Sequence, residues 1–332
     1  MLTALLAAAL LPLSSCLPVR TIADSVASQP ITLRTATGDI AGLVVVPSAA
    51  GRHPVVLIIP GSGPTDRDGN SPVALGPGRT LHTDAYKLLA EALARQGIAS
   101  VRYDKRGIAA SAPAMAGMKE SDYRFDMGVD DAAAWIRMLR ADPRFSRIVL
   151  VGHSEGSLIG MVAAQRAPAD GFVSLEGAGR PAADVIRAQL IAGGAPPEMF
   201  EAALDSLVAG RTVENTSPAL ASLFRPSVQP YMISWFRYDP AAELKKLPYP
   251  TLIIQGTHDV QVSAVDASKL AAAPGARLLT IDGMTHVLKI GPADAAAQVA
   301  GVYSDPTVPI APEVVAAIVA YVRSLPEAPG SH

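Results

Sequence analysis

The sequence predicts an α/β fold with a mostly parallel central sheet, helices on both faces and a helical cap insertion. Short runs of β-branched and aliphatic residues, such as VVLII at residues 55–59, alternate with amphipathic segments. Strands that are apolar at every position are typical of parallel sheets covered on both faces. The alternation stops between residues 181 and 248, where the composition is helical, and then resumes.

The predicted elements follow in chain order. A hairpin at residues 31–46 turns at Thr37, Gly38 and Asp39. Apolar residues at helical spacing, with stop signals such as Gly97, mark the helices. The later strands are predicted at 55–59, 98–103, 148–151, 172–175, 251–255 and 277–281, and the helices at 86–96, 127–141, 154–166 and 313–323. The predicted core therefore comprises residues 31–180 and 249–325, and residues 181–248 form the predicted cap.

The length and composition of the chain limit the classes of protein to which it could belong. The chain has 332 residues, of which 49% are hydrophobic and 17% charged, enough for one large core and an insertion. A net charge of −2 without blocks of like charge argues against a nucleic-acid partner. The six histidines show no spacing typical of metal ligands. The histidine pattern therefore gives no reason to expect a metal site.

The first residues predict export. Residues 1–16 are almost wholly apolar, too short to span a bilayer, and end at the only cysteine, Cys16. The sequence LSSC at 13–16 resembles a bacterial lipobox, which implies acylation of Cys16 and a periplasmic or membrane-anchored protein. Residues 17–30 would then be a tether. The alternative is an ordinary secretory signal with an incidental cysteine.

A candidate nucleophile follows the strand at 148–151. Residues 152–156 read GHSEG, which places Ser154 between two glycines where a strand passes into a helix. A G-x-S-x-G sequence in this context is typical of a nucleophile elbow, a strained turn whose neighbours must be small. A structural turn is the alternative. Serine needs a neighbouring base to act as a nucleophile, so the acid and base must be sought elsewhere.

The order of polar residues after later strands supports the nucleophile. Such hydrolytic sites have the chain order serine, acid, histidine. Asp259 follows the strand at 251–255, and His286 follows the strand at 277–281. Glu176, after the strand at 172–175, and Asp266, within a helical pattern, are the alternative acids. The predicted oxyanion hole combines the N–H of Glu155 with that of Ser62, in the loop after the strand at 55–59.

These motifs together resemble the α/β-hydrolase family, in particular an esterase-like branch with a GSGPxDRDGN loop at residues 61–70. The sequence YDKRG at 103–107 resembles a strand-end element of that family, although the usual second glycine is absent from 107–111. The resemblance implies hydrolysis of small carboxylic esters without a cofactor, and we expect short or medium acyl chains. A peptidase or amidase on the same residues, or a catalytically silent binding protein, are the alternatives.

Overall fold

The structure, a computed structural model, describes residues 28–326 and centres on an eight-stranded sheet. The strands are β1 (Ser28–Thr35), β2 (Gly38–Val45), β3 (His53–Ile59), β4 (Ser71–Gly76), β5 (Arg79–Leu81), β6 (Ala99–Tyr103), β7 (Phe145–His153), β8 (Gly171–Leu175), β9 (Thr251–Gly256) and β10 (Ala276–Ile281). Their order in the sheet is β1-β2-β6-β3-β7-β8-β9-β10, and a separate hairpin pairs β4 with β5. Strands β1 and β2 are antiparallel to their neighbours, whereas β6, β3, β7, β8, β9 and β10 are mutually parallel.

Helices cover both faces of this sheet because its central strands are apolar on both sides. The helices are α1 (Ala85–Arg95), α2 (Phe125–Ala141), α3 (Glu155–Arg166), α4 (Ala182–Ala192), α5 (Glu201–Val208), α6 (Ala221–Phe224), α7 (Gln229–Trp235), α8 (Pro240–Leu244), α9 (Ala264–Ala271), α10 (Ala295–Ala300) and α11 (Pro312–Ser324). One buried cluster joins the sheet to α2, α3 and α9, and another joins its opposite face to α1 and α11.

The predicted fold class is confirmed: the sheet is mostly parallel and helices pack on both faces. Residues 181–248, the cap region, hold helices α4 to α8, and α4 to α7 contribute to a small apolar cluster of their own. The β4–β5 hairpin was not predicted. The leader with Cys16, and most of the predicted tether, lie outside the described residues; residues 28–30 belong to β1.

The topology gathers five loops at one edge of the sheet. Strands β3, β7, β8, β9 and β10 are consecutive neighbours and run in one direction, so their carboxyl ends lie side by side. Ligands of open α/β sheets bind at this edge. None of the helices in residues 28–326 is long and apolar enough to cross a membrane.

Candidate active site

Ser154 lies in a sharp turn between β7 and α3. Its backbone has φ 54° and ψ −123°, a conformation that residues other than glycine rarely adopt. A Cβ on Gly152 would clash with the Gly156 carbonyl, and one on Gly156 would clash with that of Ile59. The two glycines are therefore required by close packing around a strained, half-buried serine.

Asp259 and His286 form a hydrogen-bonded pair beside this turn. Asp259 Oδ2 lies 2.8 Å from His286 Nδ1, and both side chains are almost completely buried. Asp259 Oδ1 also accepts the N–H groups of Gln261 and Val262 at 2.7 and 2.9 Å. Burial raises the pKa of Asp259, but the imidazole of His286 and these hydrogen bonds outweigh it and lower the pKa to about 2. Asp259 therefore stays ionised and fixes a proton on Nδ1.

Ser154 and His286 line the same small cavity. Within residues 28–326, the Ser154 hydroxyl forms no hydrogen bond with His286 or with any other group. Such bonds are often long until substrate is bound. The structure thus joins Asp259 to His286 by a hydrogen bond, and Ser154 lies in the same cavity as His286.

The two predicted oxyanion-hole donors flank Ser154. Glu155 is the first residue of α3, and Ser62 is exposed in the loop after β3. Neither N–H has a hydrogen-bond partner in the part of the chain that the structure describes. A free N–H at a helix start is suited to a developing negative charge. Both residues, together with Ser154, line a second and larger cavity.

The alternative acids have other partners. Asp266 forms an ion pair with Arg180 at 2.7 Å. Glu176 is completely buried, and its Oε1 accepts the Gly256 N–H at 2.8 Å. Burial raises the pKa of Glu176 well above its ordinary value, and the Asp259 carboxylate raises it further. Oε2 of Glu176 is buried without a hydrogen-bond partner among the described residues, which is consistent with a neutral carboxyl group at this position.

A buried Tyr86–His153 pair was not predicted. Nε2 of His153 lies 2.8 Å from the His286 carbonyl oxygen, so it carries the proton, and Nδ1 accepts from Tyr86 Oη at 2.7 Å. Tyr86 Oη accepts the Gly61 N–H at 3.1 Å. Burial lowers the pKa of His153 to about 3, with a contribution from neighbouring His286. A neutral imidazole therefore links the Ser62 loop to the His286 loop.

A second polar chain connects the cap region to the elbow. The Tyr231 hydroxyl donates to the buried Glu155 carboxylate, and Lys105 Nζ lies 4.0 Å from the other Glu155 oxygen. Lys105 also donates to the Gly61 carbonyl. These contacts hold Glu155, which carries one predicted oxyanion donor, between the cap region and the Gly61 loop.

The charged loop at residues 61–70 is held by contacts within the loop and by ion pairs with residues at the end of β6. Asp66 Oδ1 accepts the N–H groups of Asp68 and Asn70, and Arg67 forms an ion pair with Asp104. Asp68 pairs with Arg102 at 2.8 Å. These side chains therefore shape the loop that presents Ser62. Within residues 28–326, no group of three histidine, cysteine or acidic side chains could hold a metal ion.

The fold and the turn after β7 together define the class: the chain has the α/β-hydrolase fold with a serine in a strained turn between β7 and α3. A family model described as "Serine aminopeptidase, S33" matches residues 70–222, a stretch that contains Ser154 and ends before Asp259 and His286. The chain is 27% identical over 264 residues to Esterase EstD of Thermotoga maritima, covering 75% of this chain and 58% of that protein. It thus spans less than two thirds of that relative's length.

Solved structures show the same fold. Est1E of Butyrivibrio proteoclasticus, with ferulic acid bound, superposes with a TM-score of 0.57 at 16% identity, covering 89% of this chain and 98% of that one. Proline iminopeptidase of Mycobacterium smegmatis superposes with a TM-score of 0.56 at 17% identity, also covering 89% and 98%. At such low identities these likenesses establish the fold alone.

Proposed function

We propose that this chain is a serine hydrolase that cleaves carboxylic esters with short or medium acyl chains. The observation that carries the proposal is the strained backbone of Ser154, flanked by two free N–H groups. Strain of this kind is retained at functional sites because it holds a side chain in a reactive position. The similarity to a protein named as an esterase supports the choice of esters.

In the proposed mechanism, His286 Nε2 takes the Ser154 hydroxyl proton as Oγ attacks the ester carbonyl carbon. The N–H groups of Ser62 and Glu155 stabilise the resulting oxyanion, and Asp259 stabilises the imidazolium. Collapse of the intermediate breaks the bond to the leaving oxygen, which receives the proton from His286. A water molecule, activated in the same way, then hydrolyses the acyl-enzyme and restores Ser154.

The test is active-site labelling combined with turnover. A fluorophosphonate probe should label wild-type protein at Ser154, and Ser154→Ala should lose both the label and the hydrolysis of p-nitrophenyl butyrate. Ser268→Ala is a matched control, because Ser268 bonds only within α9. Retention of more than a tenth of wild-type turnover by a folded Ser154→Ala variant would overturn the assignment. Faster cleavage of aminoacyl p-nitroanilides than of the ester would favour a peptidase.

The proposal includes export. The apolar leader and the LSSC sequence at 13–16 support cleavage before Cys16 and acylation of its thiol. The lipid would hold the protein at a membrane surface and leave the catalytic domain in the aqueous phase.

A further inference from the structure

Two cavities meet at Ser154. A cavity of about 840 Å3 lies between the elbow and the cap region, and one of about 240 Å3 lies between the elbow and the β4–β5 hairpin. Ser154 and Ser62 line both of them. The candidate nucleophile and one oxyanion donor therefore stand on the boundary between a large space and a small one.

The large cavity is suited to an uncharged group. Its charged side chains already have partners: Arg180 pairs with Asp266, and Arg225 pairs with Glu120. Glu155 is held by Tyr231 and Lys105. The rest of the wall is mainly apolar and comes from α3 and the cap helices: Leu158, Ile159, Val185, Ile186, Met232 and Trp235.

The small cavity contains the base. His286 lines this cavity and is absent from the wall of the large one, whereas Glu155 lines only the large one. Leu75 and Leu81 of the hairpin, with Tyr303, close the far side. The group that must be protonated by His286 is therefore positioned toward the small cavity.

From this arrangement we infer that the small cavity receives the alcohol half of the ester and the large cavity receives the acyl half. The tetrahedral carbon carries Ser154 Oγ, an oxyanion, the leaving oxygen and the acyl group. With the oxyanion on the Ser62 and Glu155 N–H groups and the leaving oxygen at His286, the acyl group is directed away from His286. The substrates are thus esters of a medium-length apolar acid with a small alcohol. This inference rests on the proposed esterase function.

The preference for a long acyl chain can be measured, because each added CH2 group is buried in the large cavity. Each CH2 removed from water is worth about a fourfold change in affinity. Lengthening the acyl chain should therefore raise kcat/KM over several carbons, whereas lengthening the alcohol should not.

A pair of isomers separates the two halves. Methyl octanoate and heptyl acetate have the same atoms and differ in which half of the ester is long. We expect the wild-type kcat/KM, measured by pH-stat titration, to be at least tenfold higher for methyl octanoate. Equal values, or a preference for heptyl acetate, would overturn the assignment of the cavities.

Variants give a second measurement. Val228 lines only the large cavity, and Val228→Trp should lower kcat/KM for methyl octanoate at least tenfold and for heptyl acetate less than threefold. Val208→Trp is the matched control, since Val208 is exposed in the cap and lines neither cavity. Leu81→Ala enlarges the small cavity and should raise kcat/KM for heptyl acetate. Equal losses on both isomers in folded Val228→Trp would contradict the inference.

Hydrolysis of the activated ester p-nitrophenyl acetate distinguishes failure of the esterase function from failure of the cavity assignment. If wild-type protein does not hydrolyse it, the esterase function is wrong and the cavity assignment with it. If wild-type protein hydrolyses it but does not prefer methyl octanoate, only the cavity assignment is wrong. If Val228→Trp does not fold, the isomer comparison in wild-type protein decides alone.

Discussion

The Nε2–H of His153 donates to the main-chain carbonyl of His286 at 2.8 Å, so the residue before the candidate nucleophile holds the loop of the candidate base. Tyr86 extends this contact to Gly61, the residue before the proposed oxyanion donor Ser62. Three loops that follow three different strands are thereby fixed relative to one another. Such supporting contacts keep reacting groups within the narrow geometry that catalysis needs.

Tyr86→Phe should therefore destabilise the protein and slow ester turnover. The substitution leaves the buried Gly61 N–H and His153 Nδ1 without a partner, which typically costs about 1–3 kcal/mol each. Chemical denaturation and kcat for p-nitrophenyl butyrate measure the two effects. Tyr249→Phe is the matched control, because the buried Tyr249 hydroxyl has no partner among the described residues. Equal unfolding free energies for the two variants would contradict the role of Tyr86.

The free energy of unfolding should decrease as the pH is lowered from about 6.5 toward 3, because of His153. Its pKa is lowered to about 3 in the folded protein, whereas an unfolded histidine titrates near about 6.5. Between these values the unfolded state binds the extra proton, so stability is present above about pH 6.5 and is lost as the pH falls. The slope for one such group approaches about 1.4 kcal/mol per pH unit midway between the two pKa values.

The variant His153→Gln removes this titration. Unfolding free energies measured by urea titration from pH 7 to pH 4 should vary less steeply for the variant than for wild-type protein. Parallel curves would show that His153 is not neutral in the folded state.

Asp259 and Glu176 should respond very differently to amidation. Asp259→Asn removes the charge that holds the His286 tautomer, and elsewhere this change costs about 10⁴-fold in kcat. Glu176→Gln replaces a neutral carboxyl by a neutral amide of similar shape that can still accept the Gly256 N–H, so we expect less than a tenfold loss. Glu176→Leu, which cannot accept that N–H, should cost more than Glu176→Gln. Steady-state kinetics with p-nitrophenyl butyrate checks the ranking, and the opposite order would assign the acid to Glu176.

Cys16→Ser should change location without changing chemistry. Acylation adds about 0.8 kcal/mol of membrane affinity per buried CH2, so loss of the thiol should release the protein from membranes or leave it unprocessed. Fractionation and mass spectrometry of the mature N-terminus measure this. A water-soluble wild-type protein that begins at an unmodified residue other than Cys16 would leave only a secretory signal.

The sequence was most informative where chemistry and local geometry coincide. The strained turn at Ser154 needs small neighbours, so its glycines are visible in the sequence, and the positions of Asp259 and His286 after strands follow from chain order. The parallel strands could be predicted because full burial makes them continuously apolar. The helical character of the cap region could be predicted for the opposite reason, the lack of such runs.

Contacts between distant segments could not be predicted. Tyr86 is 67 residues from His153 and looks like an ordinary apolar-face residue of α1. The protonation of Glu176 depends on burial, which only the folded chain reveals. The β4–β5 hairpin was missed because SPVALG contains proline and glycine, which are unfavourable in strands. It nevertheless forms a wall of the small cavity.

The cap region occupies a single connection between β8 and β9, which are neighbours in the sheet. Ser154 precedes this connection, and Asp259 and His286 follow it. Its length and composition can therefore change without shifting the register of any strand that presents those three residues. On the proposed assignment, much of the acyl-binding wall and the three proposed catalytic residues are encoded in separate stretches of the chain, so natural variation or a cap exchange in the laboratory can alter the preferred acyl group and retain ester cleavage.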